Sequence, residues 1–411
     1  MKSVFSQEEK VNILRDIINI NTVNDNEIEV AQYLQRLFEQ YHIESHIDQI
    51  NDTRANLIAT IGSGHPVLGI SGHMDVVSEG DKQDWSVDPF EMTEKDGNLY
   101  GRGTSDMKSG LAALAIALID IKENNLLQQG TIKFMATAGE EMEQLGSEQL
   151  YDKGYMDDVD ALVIAEPSEQ TLVYAHKGSM DFRITSKGRA SHSSIPVMGQ
   201  NAIKPLLDFI QNIDKSYQEI AQATEFKELD FTRMLETVKD RLPESLDEEE
   251  VKRVVSGLVI NNTIIQGGNQ VNSIPDRAQT EFNIRTVPEY NNEQVKSLFN
   301  NHLEKINQQG GQLEQDIYLD LEPVLTTGDN RLISTGYDLA TSLFDHDIII
   351  TPTVGVTDAS NLLKGKDEDF PFLMLGPGTK PHQVDEFVSK DKYLDFITYY
   401  IQLFTTYLNE H

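Results

Sequence analysis

Five stretches of this chain end in residues that can hold a metal ion or move a proton. Val67 to Ser71 is an apolar strand that runs into Gly72-His73-Met74-Asp75. Imidazole is a common zinc ligand, and a ligating His usually gives its second ring proton to another group, often a carboxylate. A His and an Asp two residues apart fit that pairing, although alone they read as ordinary polar loop residues. Asp106 stands in Gly101-Arg102-Gly103-Thr104-Ser105-Asp106-Met107-Lys108, ahead of an apolar helix from Leu111 to Ile121. Alone, it also reads as a helix N-cap. The buried-type strand Thr131 to Thr137 stops at Ala138-Gly139-Glu140-Glu141. Adjacent carboxylates repel unless a cation or a proton neutralises them. Ala161 to Ala165 stops at Glu166, and Phe372 to Leu375 is followed by the loop that carries His382.

The chain has no cysteine. Thiolate metal sites, disulfides and a cysteine nucleophile are excluded, so a metal must be held by His, Asp and Glu. Two His and several carboxylates suit zinc, manganese or cobalt in a hydrolytic site. One ion takes about three protein ligands and a water; this set is large enough for two ions sharing a bridging carboxylate, typically about 3.5–4 Å apart. Structural calcium is disfavoured by the two His and by the absence of an EF-hand spacing.

The elements that must position these residues alternate between strand and helix, and each strand delivers its candidate at its C-terminal end. Open α/β sheets place their sites there. The pattern predicts an α/β domain with a mixed, mostly parallel sheet flanked by helices, spanning residues 1–177 and 293–411. It opens with a capping box, Ser6-Gln7-Glu8-Glu9, before a helix with Val11, Leu14, Ile17 and Ile18 on one face. Between residues 178 and 292 the rhythm changes. Ser179 to Ser186 alternates, a long amphipathic helix follows, and Asn261 to Ile265 and Arg277 to Arg285 read as strands split by Gly267-Gly268 and Pro275. The charged stretch Thr224 to Gly257 reads as a solvated helical insertion. This block is expected to be a smaller inserted α+β domain, in keeping with a 411-residue chain too long for one typical core.

With 67 acidic and 34 basic residues, the net charge is −33. That balance argues against nucleic acid and against an anionic membrane surface as partners. The longest apolar run, Leu111 to Ile119, is too short to cross a bilayer, and the first residues lack the apolar core of a signal peptide. A cytoplasmic enzyme or binding protein is expected.

Taken together, Gly72-His73-Met74-Asp75, Tyr100 to Lys108, Gly139-Glu140-Glu141, Ala165-Glu166-Pro167-Ser168 and His382-Gln383-Val384-Asp385-Glu386 resemble the metallo-aminoacylase family. That family includes succinyl-diaminopimelate desuccinylases, acetylornithine deacetylases, aminoacylases and glutamate carboxypeptidases, and the resemblance runs along essentially the whole chain. It implies a zinc-exopeptidase-like catalytic domain with an inserted lid and dimerisation domain. It also implies two divalent ions, zinc with cobalt or manganese as alternatives. His73 and Glu166 would bind one ion and Glu141 and His382 the other, with Asp106 bridging. Asp75 would orient His73, and Glu140 would be the general base. His192 in Ser191-His192-Ser193 would reach across a homodimer to the oxyanion, Arg285 would pair with a substrate carboxylate, and Asn272 and Gly355 would lie on the substrate side.

The motif style is nearest the desuccinylases of lysine biosynthesis, implying hydrolysis of N-succinyl-LL-2,6-diaminopimelate. Acetylornithine deacetylase, a general aminoacylase and a metallo-dipeptidase are the alternatives, and a catalytically silent binding protein is the rival outside the enzyme class. The sequence departs from the family at Gly139, where Asp is usual, and at Gly355-Val356-Thr357-Asp358, where many members have Gly-Thr-Ser-Asp.

Overall fold

A computed structural model describes residues 3–238 and 247–410. The chain divides into two compact units, Met1–Tyr174 with Thr326–Thr351 and Thr357–His411, and Ala175–Leu325 with Pro352–Val356.

The first unit is built on a six-stranded sheet. Its spatial order is Glu44–Gln49, Ala55–Ser63, Gly130–Thr137, Val67–His73, Ala161–Pro167 and Phe372–Gly376. The last four strands run parallel, and the first two join antiparallel. Continuous Ile, Leu, Val and Ala runs make strands that are buried on both faces, as a helix-covered parallel sheet requires. Register sets His73 opposite Thr137 and Ile70 opposite both Phe134 and Val163, so the strand ends lie close to level. Helix Lys108–Glu123 is buried on all faces from Lys108 to Ile121, the mark of a central helix. It lies so close to the Ala161–Pro167 strand that a Cβ on Gly110 would sit 2.2 Å from the Ala165 carbonyl oxygen. The closing helix Lys390–Asn409 adds Tyr393, Phe396, Tyr400 and Phe404 to the same core. Helix Gln7–Ile18 opens with the expected capping box: the Glu9 N–H donates to Ser6 Oγ at 3.2 Å, and the Ser6 N–H to Glu9 Oε2 at 2.7 Å.

The second unit carries a four-stranded antiparallel sheet, ordered Val259–Gly267, Arg277–Thr286, Gly178–Lys187 and Leu313–Leu321. Helices Ile203–Ala223 and Asn292–Gln308 join it in an apolar core around Phe182, Phe209, Phe282 and Phe299. The sequence pattern returns the chain to the first domain at residue 293; the unit boundary falls instead after Leu325. The reason is pairing: Leu313–Leu321 adds to the edge of Gly178–Lys187, Leu313 opposite Ser186, and helix Asn292–Gln308 packs with it. The charged segment contains two short helices, Thr232–Val238 and Glu248–Ser256, with 239–246 outside the described residues. Among the described residues, no helix is long and apolar enough to cross a membrane.

Candidate metal centre

Ionisable groups gather where the parallel strands of the first unit end. His73 Nε2 lies 3.1 Å from Asp106 Oδ1 and 3.7 Å from Glu166 Oε1. His382 Nε2 lies 3.3 Å from Asp106 Oδ2 and 3.0 Å from Glu141 Oε2. Potential ligands therefore form two groups, His73–Asp106–Glu166 and Asp106–Glu141–His382, each with its donor atoms within 4.8 Å of one another. Asp106 belongs to both and turns one oxygen to each. It does not cap the following helix, whose N-cap is Met107 without a side-chain bond. Glu140 stands outside both groups, with Oε2 4.0 Å from His73 Nε2 and Oε1 accepting from Gln144 Nε2 at 3.3 Å.

Asp75 does more than orient His73. The ring nitrogen Nδ1 is 3.0 Å from the Asp75 backbone carbonyl and 3.6 Å from its carboxylate. The carboxylate accepts the backbone N–H groups of Gly139, Glu140 and Glu141 at 2.9, 3.1 and 3.0 Å. One buried Asp thus holds both His73 and the turn that carries the paired glutamates, an outer-sphere role of the kind metal sites depend on. A second support is Glu386, to which the sequence attached no role. Its carboxylate accepts from Gly103, Ser105 and Asp106 N–H at 3.1, 2.7 and 2.9 Å and pairs with buried Arg102. The His382 loop thereby fixes the Asp106 loop. The only hint in the sequence was that Glu386 ends the His382 motif. Asp358, also buried, accepts from Thr137 Oγ1 at the end of the central strand.

Burial raises Glu140 well above the usual carboxylate range, and Glu166 raises it further. Glu166 is raised in the same way, by burial first, with Asp106 and Glu141 adding to it against the pull of His73. Burial opposes a charge on His73, but Glu166, Asp106 and Asp75 hold it well above the ordinary imidazole value. Asp106 and Glu141 push His382 up to about 10. Burial lifts Asp358 to about 6. Closely packed carboxylates out of water are stable only with compensating positive charge. The donors are imidazole nitrogens and carboxylate oxygens, a set that fits divalent ions of the zinc, manganese or cobalt kind.

The remaining expected residues fall in the second unit. His192 is exposed and pairs antiparallel with Ser273, and the Ser193 N–H donates to the Asn272 carbonyl at 3.0 Å, so His192 and Asn272 are neighbours. Arg285 lies on strand Arg277–Thr286, half-buried, and its Nη1 has no hydrogen-bond partner among the described residues. Gly355 lies in the Pro352–Val356 stretch of that unit.

Residues 69–406 match the model of peptidase family M20/M25/M40. The chain belongs to this family. Membership makes it a metal-dependent amide hydrolase, and every residue of both ligand groups lies inside the matched span. The family relatives include a probable succinyl-diaminopimelate desuccinylase of Staphylococcus epidermidis, 46% identical across 99% of this chain and 100% of that protein. A protein of the same name from Staphylococcus aureus is 45% identical across 99% and 100%. Among solved structures, the family's metallo-carboxypeptidase Sso-CP2 from Sulfolobus solfataricus shares the fold, with a TM-score of 0.81 at 18% identity over 98% of this chain and 99% of that one.

Proposed function

We propose that this protein converts N-succinyl-LL-2,6-diaminopimelate and water to succinate and LL-2,6-diaminopimelate, a step of lysine biosynthesis, using two divalent ions. The observation that carries the chemistry is Asp106, whose two oxygens face separate His- and Glu-containing groups. The choice of acyl group is supported by desuccinylase relatives that match over their whole length.

His73 and Glu166 would hold one ion, Glu141 and His382 the other, and Asp106 both. Bound there, zinc (or cobalt or manganese) supplies Lewis acidity, which acidifies water and polarises the scissile carbonyl. Glu140 accepts a proton from the attacking water and returns it to the leaving nitrogen. The new C–O bond replaces the amide C–N bond, releasing a carboxylate and a free amine. A carboxyl raised by burial is suited to holding that proton between the two transfers. Asp75 keeps the Glu140 backbone and the His73 ring in place throughout.

The substrate-side roles follow the family resemblance. Arg285 pairs its planar fork with a substrate carboxylate, a reading supported by its Nη1, which has no hydrogen-bond partner among the described residues. Asn272 and Gly355 contact substrate. His192 of the partner subunit in a cytoplasmic homodimer stabilises the oxyanion. The test is product analysis. Metal-loaded protein should release succinate and diaminopimelate in equal amounts, chelation should stop it, and zinc, cobalt or manganese should restore it. A loaded protein that leaves the substrate intact contradicts the proposal.

A further inference from the structure

We infer that Arg54, clamped by Glu27, is a positioning residue for the Glu140–Glu141 turn. The inference rests on the reading of Glu141 as a ligand and Glu140 as the base. Gly139 precedes them at φ +76°, and a Cβ placed on it would lie 2.7 Å from Arg54 Nη2 and 3.2 Å from its Cζ. The guanidinium therefore occupies the space beside the bare Gly139 Cα. Arg54 cannot drift from there. Its Nε lies 3.1 Å from both oxygens of Glu27 and its Nη2 2.6 Å from one, and Glu27 is fully buried at the first position of helix Glu27–Gln40.

The turn is thus held from two directions. Asp75 takes its three successive N–H groups, and Arg54 backs its glycine. Burial opposes the Arg54 charge, and Glu27 first, then Asp75, outweigh that opposition. Two residues further along the same segment, Asn56 Oδ1 accepts the Ala138 N–H at 3.2 Å and Asn56 Nδ2 donates to the Gly146 carbonyl at 3.0 Å. Strand Ala55–Ser63, which contributes no ligand, is in this way the floor on which one is set. Only a planar fork can grip Glu27 with two nitrogens and still lie against Gly139; a lysine keeps the charge without the shape.

The experiment compares wild type, Arg54→Met, Arg54→Lys and the double variant Glu27→Gln/Arg54→Met, in which no buried charge is left alone. Hydrogen exchange of amides 138–144 is read in the metal-free proteins, and Co²⁺ binding is read by equilibrium dialysis. Exchange in this segment should rise at least about 10-fold in Arg54→Met and in the double variant, and stay elsewhere as in wild type. Arg54→Lys should recover the protection only in part. Of two bound Co²⁺, the one at the Glu141–His382 group should weaken about 10- to 100-fold, while the one at His73–Glu166 stays within about threefold. Unchanged exchange at 138–144 overturns the inference. So does an increase spread evenly over the chain, which marks Arg54 as a general support of the fold. If wild type binds only one Co²⁺ and the segment still loosens, the two-ion reading falls and the positioning role stands.

Discussion

Asp106 shows how much a single side chain carries here. Its carboxylate meets His73 on one oxygen and His382 on the other, at 3.1 and 3.3 Å. Glu140, by contrast, touches neither group closely. The two residues therefore differ in a measurable way. Glu140→Gln should keep metal content and lose turnover by about 10²- to 10⁴-fold, the usual share of a positioned base; near-normal turnover removes it from that role. His382 gives a pH prediction. In the metal-free protein its pKa is raised from 6.5 to about 10, so its contribution to stability is complete below the lower value and lost as pH rises through the upper one. A ligand must be the neutral imidazole, so protons compete with metal. Affinity at the Glu141–His382 group should climb about tenfold per pH unit toward that upper value. Affinity that is flat between neutral and alkaline pH contradicts this. These residues could be read from sequence because Glu140 follows directly on an apolar strand, while Asp106 and His382 stand in Gly- and Pro-punctuated loops next to an apolar helix and an apolar strand. Arg54 and Glu386 could not, since they act through backbone groups that come together only after folding.

At the scale of elements, loops do the assembly. The His382 loop reaches the Asp106 loop through Glu386, and the first strand loop reaches the Glu140 turn through Asp75. Removing Glu386 leaves Arg102 buried without its carboxylate and strips three N–H groups of their acceptor. Glu386→Ala should cost about 3–5 kcal/mol, read by urea unfolding of the metal-free protein, and should weaken metal binding as well; unchanged stability would show the loop is held by other contacts. Gly139, a departure from the family pattern, is explained by its positive φ and by the guanidinium beside it. The buried parallel strands were plain in the sequence because their apolar runs are unbroken. Edge strand Glu44–Gln49 was not, since water faces most of it and no apolar run marks it. The return to the first unit was placed too early because helix followed by strand reads alike in α/β and α+β folds. In Leu313–Leu321 every second residue, Glu314, Asp316, Tyr318 and Asp320, is exposed, and the three acidic residues at alternate places were the available sign of an antiparallel, half-exposed strand.

On the scale of the whole molecule, the two units divide the labour in the proposal: every candidate ligand is in the first, and His192, Asn272, Arg285 and Gly355 are in the second. The proposed homodimer makes one strong prediction. His192→Ala and Glu140→Ala chains, each nearly inactive alone, should recover part of the activity when mixed and allowed to exchange, because one site then has both residues. No recovery in confirmed heterodimers assigns His192 to its own chain or to no catalytic role. Sequence reached the family and the chemistry because the motifs are scattered along the chain yet converge on one sheet edge. It reached the acyl group only through overall motif style, because no single residue type reads a succinyl chain; relatives 45–46% identical along their whole length support the same choice. The most direct test of the account is a competition of N-succinyl-LL-2,6-diaminopimelate against N-acetylornithine, simple N-acyl amino acids and dipeptides on zinc- and manganese-loaded protein. The kcat/KM for the succinyl substrate should be at least about 100-fold above the others, the margin expected where buried polar groups are left unpaired by the wrong substrate. Equal or faster hydrolysis of any competitor would contradict it.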